Sequence, residues 1–145
     1  MKSSLNFFAI VGALCVGLLT ASAADRKSIG GPKGGRLLEK TEPRAEFFME
    51  KDRTVTIAFY DAALKSVAAT AQIVTVIADG KTKLEFEKKG DTLVSKSKLP
   101  DGEGYSVVVQ FKQTAEARPR NFRFKLELYN CGGCNRAEYA CTCDH

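Results

Sequence analysis

Apolar and polar side chains alternate along four separate segments of this chain, and this period of two constrains the fold more than any other feature. A period of two places successive side chains on opposite faces of an extended strand, whereas a helix would need a period of 3.6. Each segment therefore has one apolar and one solvated face, which is typical of an antiparallel sheet that covers a core. The apolar positions are Val55, Ile57 and Phe59; Leu84 and Phe86; Tyr105, Val107, Val109 and Phe111; and Phe122, Phe124, Leu126 and Leu128.

Shorter apolar runs and turn residues predict further strands between these segments. Residues 72–78 are apolar on both faces, which predicts a central strand, and weaker runs at 36–38 and 46–49 predict short ones. Asp79 and Gly80 predict a tight hairpin, because glycine accepts the positive φ that such turns require. Seven or eight short strands predict an all-β fold, a single antiparallel β-sandwich of the immunoglobulin or fibronectin type. A small β-barrel is the alternative that strand counting leaves open.

The first residues have the three parts of a secretory signal peptide. Lys2 precedes an apolar run over residues 5–19, and small side chains follow at Ala21 and Ala23. The run has about 15 residues, fewer than the roughly 20 that a membrane-spanning helix needs. We therefore predict cleavage near Ala23, no membrane span and a periplasmic or secreted protein.

Composition divides the chain into four parts. Residues 1–23 are the predicted signal peptide, and residues 24–35 are rich in glycine and lysine, which predicts a flexible leader. Residues 36–129 hold the alternating segments and form the predicted β-sandwich domain. Residues 130–145 are a short cysteine-rich tail.

The tail carries the residues with the clearest potential for chemistry, which are Cys131, Cys134, Cys141, Cys143 and His145. Two close pairs joined by a short loop can bring four thiolates onto one ion, either Zn²⁺ or Cu(I), with His145 as a further or replacement ligand. The oxidising surroundings of an exported protein equally favour two disulfides. Those would run between the two pairs, because a bridge within C-x-C is strained. Redox-active thiols are the third possibility.

Residue patterns that indicate catalysis or nucleic-acid binding are missing from the sequence. His145 is the one histidine of the chain, which leaves no Ser-His-Asp or Cys-His arrangement. We therefore predict no enzymatic activity and assign no catalytic or organic-cofactor residue. The formal net charge is +5, and we interpret the basic residues as scattered over a solvated surface. No basic and aromatic motif suggests nucleic acid as a partner.

Three stretches, residues 31–38, 46–48 and 57–61, resemble small exported bacterial immunoglobulin-like domains. Residues 99–107 resemble a turn and strand that is common in these sandwiches. Such domains are associated with periplasmic metal-efflux adaptors and their companion proteins, so the resemblance implies a sandwich fold and a place in the cell envelope. Members associated with metals often carry a histidine near the paired glycines, where this chain has Lys33. The tail cysteines are then the remaining candidate metal ligands.

These features predict a non-enzymatic exported module that binds a protein of the cell envelope. One alternative is a periplasmic zinc- or copper-binding accessory protein that uses the C-terminal cysteines. The other is a thiol redox protein.

Overall fold

The computed structural model describes residues 28–38 and 41–144, which form an all-β domain. The strands are β1 (Ile29–Gly30), β2 (Arg36–Leu38), β3 (Arg44–Met49), β4 (Val55–Tyr60), β5 (Ser66–Val67), β6 (Ile73–Ala78), β7 (Thr82–Lys89), β8 (Thr92–Ser95), β9 (Ser106–Lys112) and β10 (Arg120–Lys125). A 3₁₀ turn, Glu138–Ala140, follows in the tail. The predicted signal peptide and His145 lie outside the described residues. Within the two described ranges, no helix has the length and apolar character needed to cross a membrane.

All ten strands belong to one antiparallel sheet, in the order β1-β2-β3-β4-β8-β7-β6-β9-β10, with β5 beside β4. The long strand β7 pairs with a different neighbouring strand along each of its halves. Its first half pairs with β6, where Thr82 lies opposite Ala78, and its second half pairs with β8, where Phe86 lies opposite Ser95. The sheet curls into a half-barrel. The predicted sandwich is not confirmed, because β7 links both halves in one sheet, and the alternative of a small barrel fits.

The inner surface of the sheet carries the apolar residues that the alternation predicted. The largest fully buried apolar side chains are Phe47, Phe59, Leu38, Ile57, Leu84 and Leu126. Removing such a side chain from water contributes about 1.5–3 kcal/mol, so this core is the main source of stability. Strand β4 is buried on both faces, since its Ala58 and Tyr60 form a second small cluster with Leu37.

The hairpin predicted at Asp79 and Gly80 is confirmed. Both residues have positive φ, 52° and 64°, and the Lys81 N–H donates to the Ala78 carbonyl at 3.1 Å. Positive φ at both central positions defines the turn whose twist matches that of paired strands. This turn joins β6 directly to β7.

The last strand ends earlier than the alternation predicts. Strand β10 stops at Lys125, although apolar and polar residues continue to alternate beyond it. The carbonyls of Glu127 and Tyr129 instead accept the N–H groups of Tyr139 and Glu138, at 3.0 and 2.9 Å. Leu126 still pairs with Gly104 and Tyr105, and from Glu127 onward the chain pairs with the tail.

Residues 28–35, the described part of the leader predicted over residues 24–35, form strand β1 and a loop that packs against the sheet. Strand β1 pairs with β2, and the loop between them folds over the side chain of Glu46. The fully buried Glu46 carboxylate accepts the N–H groups of Lys33 at 3.1 Å and Gly35 at 2.6 Å. These charge-assisted hydrogen bonds hold a segment whose composition alone suggests flexibility.

Two glycines permit this close approach of the loop to the sheet. A Cβ atom on Gly31 would lie 2.1 Å from Glu46 Cδ, and one on Gly35 would lie 2.2 Å from the carbonyl oxygen of Phe47. The glycine-rich stretch is therefore a place of tight packing.

The buried Glu46 side chain also affects a neighbouring tyrosine. Burial, together with the hydrogen bond to Glu46, raises the pKa of Tyr60 well above its usual value.

Candidate metal centre

The tail, residues 130–144, packs across the gap between β10 and strands β1 to β3, which we call the seam. Tyr139 is its anchor, with 4% of its surface exposed. The Tyr139 ring meets Phe47 of β3 edge-on, with centroids 5.8 Å apart, and stacks on Phe124 of β10 at 6.2 Å. Its hydroxyl oxygen accepts the Met49 N–H at 3.2 Å. Phe47 and Phe124 also meet each other edge-on, with ring centroids 5.1 Å apart, so Tyr139 adds the tail to an aromatic contact that spans the seam of the half-barrel.

Polar contacts join the same tail to the first strand. The Ser28 hydroxyl donates to the Cys141 carbonyl, and the Arg136 guanidinium donates to the Gly31 carbonyl at 3.1 Å. The Arg136 side chain also lies against Gly30, where an added Cβ would be 2.7 Å from its Cζ. These contacts were not predictable from the sequence, because nothing in the spacing of Ser28 and Arg136 indicates that they meet distant parts of the chain.

The four cysteines that the sequence singled out converge in the tail. The Sγ atoms of Cys131, Cys134, Cys141 and Cys143 all lie within 4.8 Å of one another. The Sγ of Cys131 is 3.7 Å from that of Cys143, and the Sγ of Cys134 is 3.7 Å from that of Cys141. All four are thiols in the structure. The cluster is close enough to hold one metal ion.

The backbone around the cluster turns tightly, and one of its glycines is required for this. Asn135 has a φ of 55°, and its N–H donates to the Cys131 carbonyl at 3.1 Å. A Cβ atom on Gly133 would lie 2.8 Å from Cys143 Sγ, whereas a Cβ on Gly132 would meet nothing within 4 Å. The sulfur cluster therefore needs glycine at position 133 and tolerates a larger residue at position 132.

Backbone N–H groups that point at the sulfurs of Cys131 and Cys134 favour the thiolate forms of these two residues. The Gly133 N–H and the thiol of Cys141 donate to Cys131 and lower its pKa to about 6. The Thr142 N–H lowers the pKa of Cys134 in the same way. Backbone donors that face sulfur are the arrangement expected around metal-bound thiolates.

The other two thiols are driven toward their neutral forms. The Cys143 N–H lies 3.3 Å from Cys141 Sγ and by itself lowers the pKa of Cys141, but burial and the neighbouring thiols outweigh it and raise that pKa to about 12. Contact with Cys131 raises the pKa of Cys143. Four thiolates this close repel one another, and a divalent cation among them would supply the charge that lets all four ionise.

The sequence also predicted two other features of this site, a pair of disulfides as an alternative to the metal and His145 as a further ligand. A disulfide joins sulfurs at about 2.05 Å, and the Cys131–Cys143 and Cys134–Cys141 sulfur pairs lie 3.7 Å apart as thiols. Oxidation to two disulfides stays a prediction. His145 lies outside the described residues, so its role as a ligand stays a prediction.

No protein-family model, curated protein or solved structure matches this chain. The resemblance to exported immunoglobulin-like domains therefore stays a prediction. The cysteine cluster is the feature of the described residues with the clearest potential for chemistry.

Proposed function

We propose that this protein binds one Zn²⁺ through Cys131, Cys134, Cys141 and Cys143, and that the ion fastens the tail across the seam. The spacing of the sulfurs carries this proposal. Zinc–sulfur bonds of about 2.3 Å in a tetrahedron place neighbouring sulfurs about 3.8 Å apart. The two sulfur–sulfur distances of 3.7 Å agree with that spacing.

Zinc suits this donor set better than copper. Thiolates are soft ligands that bind both Zn²⁺ and Cu(I), but four sulfurs in a tetrahedral arrangement are typical of zinc or of iron–sulfur centres. Two of the thiols, Cys131 and Cys141, are buried and the other two are half-buried. One small ion fits among four sulfurs that all lie within 4.8 Å.

A structural role follows from the ligand count and from the surroundings. Four protein ligands complete a tetrahedral zinc ion and leave no position for a substrate. The tail around the cluster contacts both sides of the seam, through Tyr139 and Arg136. Binding of the ion then contributes directly to folding, as in other small zinc domains.

We place this zinc-fastened domain among non-enzymatic binding modules of the cell envelope. The predicted signal peptide supports export. The resemblance of residues 31–38 to immunoglobulin-like domains associated with metal-efflux adaptors supports a metal-related accessory role. In this interpretation the zinc stabilises the module and its outer surfaces contact the partner.

Mass spectrometry of the mature chain, purified without chelator, tests the proposal. Under native conditions we expect the mass of the chain plus one zinc, and under denaturing conditions the mass of the fully reduced chain. A denatured mass lower by two hydrogens for each of two disulfides would overturn the proposal. So would a reduced chain that retains no metal when zinc is supplied.

Replacement of zinc by Co²⁺ identifies the ligands. Four thiolates give intense sulfur-to-cobalt charge-transfer absorption, and each Cys→Ser variant should weaken it. A chain that ends at Asp144 tests the predicted contribution of His145. An unchanged spectrum in all four cysteine variants would place the metal elsewhere.

A further inference from the structure

The net positive charge of this protein is concentrated in one hairpin, although its basic residues are spread along the chain as expected. Residues 112–125 contain five basic residues and one acid, a formal charge of +4 out of +5 for the whole chain. The remainder of the chain therefore carries only +1. This segment comprises the end of β9, the loop 113–119 and all of β10. Its charged residues are Lys112, Glu116, Arg118, Arg120, Arg123 and Lys125.

Two of these cations point outward from the curled sheet. Phe122 and Phe124 of β10 pack against the core, so the alternate residues Arg123 and Lys125 lie on the outer face, and both are exposed. Strand β10 carries three cations and no acid, and Arg118 is exposed in the loop before it. Charged side chains of either sign would protect an edge strand from pairing with another chain. Edge protection alone therefore does not explain why every charged residue of β10 is positive.

The same outer face has an aliphatic centre. Arg123 lies opposite Val108 on β9, Val108 lies opposite Ile77 on β6, and Ile77 lies opposite Lys83 on β7. Val108 and Ile77 are half-buried, and Ile73 on the same face of β6 is 44% exposed. A cross-strand row thus runs from a cation through two aliphatic side chains to a second cation.

An acidic side chain offsets Lys83, but none is paired with Arg118, Arg123 or Lys125 in the described part of the chain. Glu85 of β7 lies beside Lys83, with its carboxylate 3.5 Å from the Lys83 ammonium. No ion pair within the described residues involves Arg118, Arg123 or Lys125. Their charge is therefore available to an external anion.

We propose that the outer face of β6, β9 and β10 binds the surface of an anionic phospholipid bilayer. A sheet face with aliphatic residues at its centre and cations beside them matches a surface with phosphates outside and acyl chains beneath. Each basic residue near such a surface increases partitioning about fivefold. The face is distinct from the cysteine cluster, so this inference does not depend on the zinc site.

Sedimentation of the zinc-loaded mature chain with lipid vesicles tests the proposal. One set of vesicles contains phosphatidylglycerol mixed with phosphatidylcholine, and the other contains phosphatidylcholine alone. We expect binding to the first set only, and we expect it to weaken with added salt because the charges are exposed. Failure to bind phosphatidylglycerol vesicles, or equal binding to both sets, would overturn the proposal.

Two double variants of equal net charge locate the surface. Arg123→Gln with Lys125→Gln should lower partitioning about 25-fold. Lys51→Gln with Lys65→Gln neutralises two exposed lysines in the turns at the two ends of β4 and should leave partitioning much closer to the wild-type value. An equal loss in both variants would mean that net charge alone acts, and the proposed face would be wrong.

A folding check and a soluble competitor complete the test. Circular dichroism and zinc content should match the wild type in both variants, since neither changes a cysteine or a core residue. If poly-glutamate binds the wild-type chain and vesicles do not, the partner is an acidic macromolecule and the membrane proposal fails.

Discussion

Replacing Tyr139 by alanine measures how much the packing of the tail against the core contributes to the free energy of unfolding. Tyr139 is 4% exposed, and its ring contacts Phe47 and Phe124 with centroid distances of 5.8 and 6.2 Å. Truncating a buried aromatic side chain to alanine costs about 3–5 kcal/mol. We expect Tyr139→Ala to lower the free energy of unfolding by about 4 kcal/mol, a large share of the roughly 5–15 kcal/mol available to a domain.

The variant Tyr139→Phe separates the ring from the hydroxyl group. The phenylalanine keeps both ring contacts but leaves the Met49 N–H without the acceptor that it has at 3.2 Å. A lost hydrogen bond of this kind costs about 1 kcal/mol. The two variants together should therefore divide the contribution of Tyr139 into a large packing part and a small polar part.

Urea unfolding of the zinc-loaded chain, followed by far-ultraviolet circular dichroism, measures both effects. Tyr129 provides the control, because it flanks the same cysteines but is 57% exposed. Tyr129→Ala should change the free energy of unfolding by no more than about 0.5 kcal/mol. If Tyr139→Ala costs as little as Tyr129→Ala, the tail does not belong to the core and our description of the seam is wrong.

Three further predictions concern the sulfur cluster, the buried carboxylate and an exposed turn. Gly133→Ala places a methyl group 2.8 Å from Cys143 Sγ and should weaken zinc binding about 10-fold or more in a chelator competition. The control Gly132→Ala should leave zinc binding unchanged, and equal zinc affinities of the two variants would contradict the prediction. Glu46→Gln should lower the free energy of unfolding by about 1.5–3 kcal/mol in the urea assay, because two N–H groups lose a charged acceptor; a change under about 0.5 kcal/mol would refute it. Hydrogen bonds from the Thr54 hydroxyl and N–H lower the pKa of Asp52, so its carboxylate stabilises the fold above its ordinary pKa. The stability difference between wild type and Asp52→Asn should be present at neutral pH and disappear as the pH falls through that lowered pKa, and thermal melts showing a constant difference would count against it.

The strands were predictable from sequence because burial of one face imposes a period of two. The predicted segments around Ile57, Phe86, Val109 and Phe124 all lie in strands of the structure. The choice between sandwich and barrel was not predictable in this way. It depends on β7 pairing with β6 along one half and with β8 along the other, and such pairing is a long-range property that alternation within one strand does not contain.

The convergence of the four cysteines was predictable from the sequence, and the surroundings of the cluster were not. Cysteine spacing alone indicated that Cys131, Cys134, Cys141 and Cys143 would meet, because short loops limit how far they can separate. The link from Ser28 to Cys141 spans 113 residues, and local composition carries no information about it. The sequence around Glu46 is similarly that of any acidic strand residue, and it carries no information about the loop that covers this side chain in the structure.

The seam also determines when the core can be completed during synthesis. Contacts between residues far apart in sequence form late, and those between Ser28 and Cys141 or between Phe47 and Tyr139 are among the most distant in the domain. A nascent chain that emerges from its first residue onward holds β1 to β4 with an incomplete core until residues 131–143 have followed. Proteolytic loss of residues 131–143 would remove Tyr139 from Phe47 and Phe124 and expose part of both rings, which is the kind of surface that promotes aggregation. A segment that is made after all ten strands thus protects the earlier strands from association with other chains.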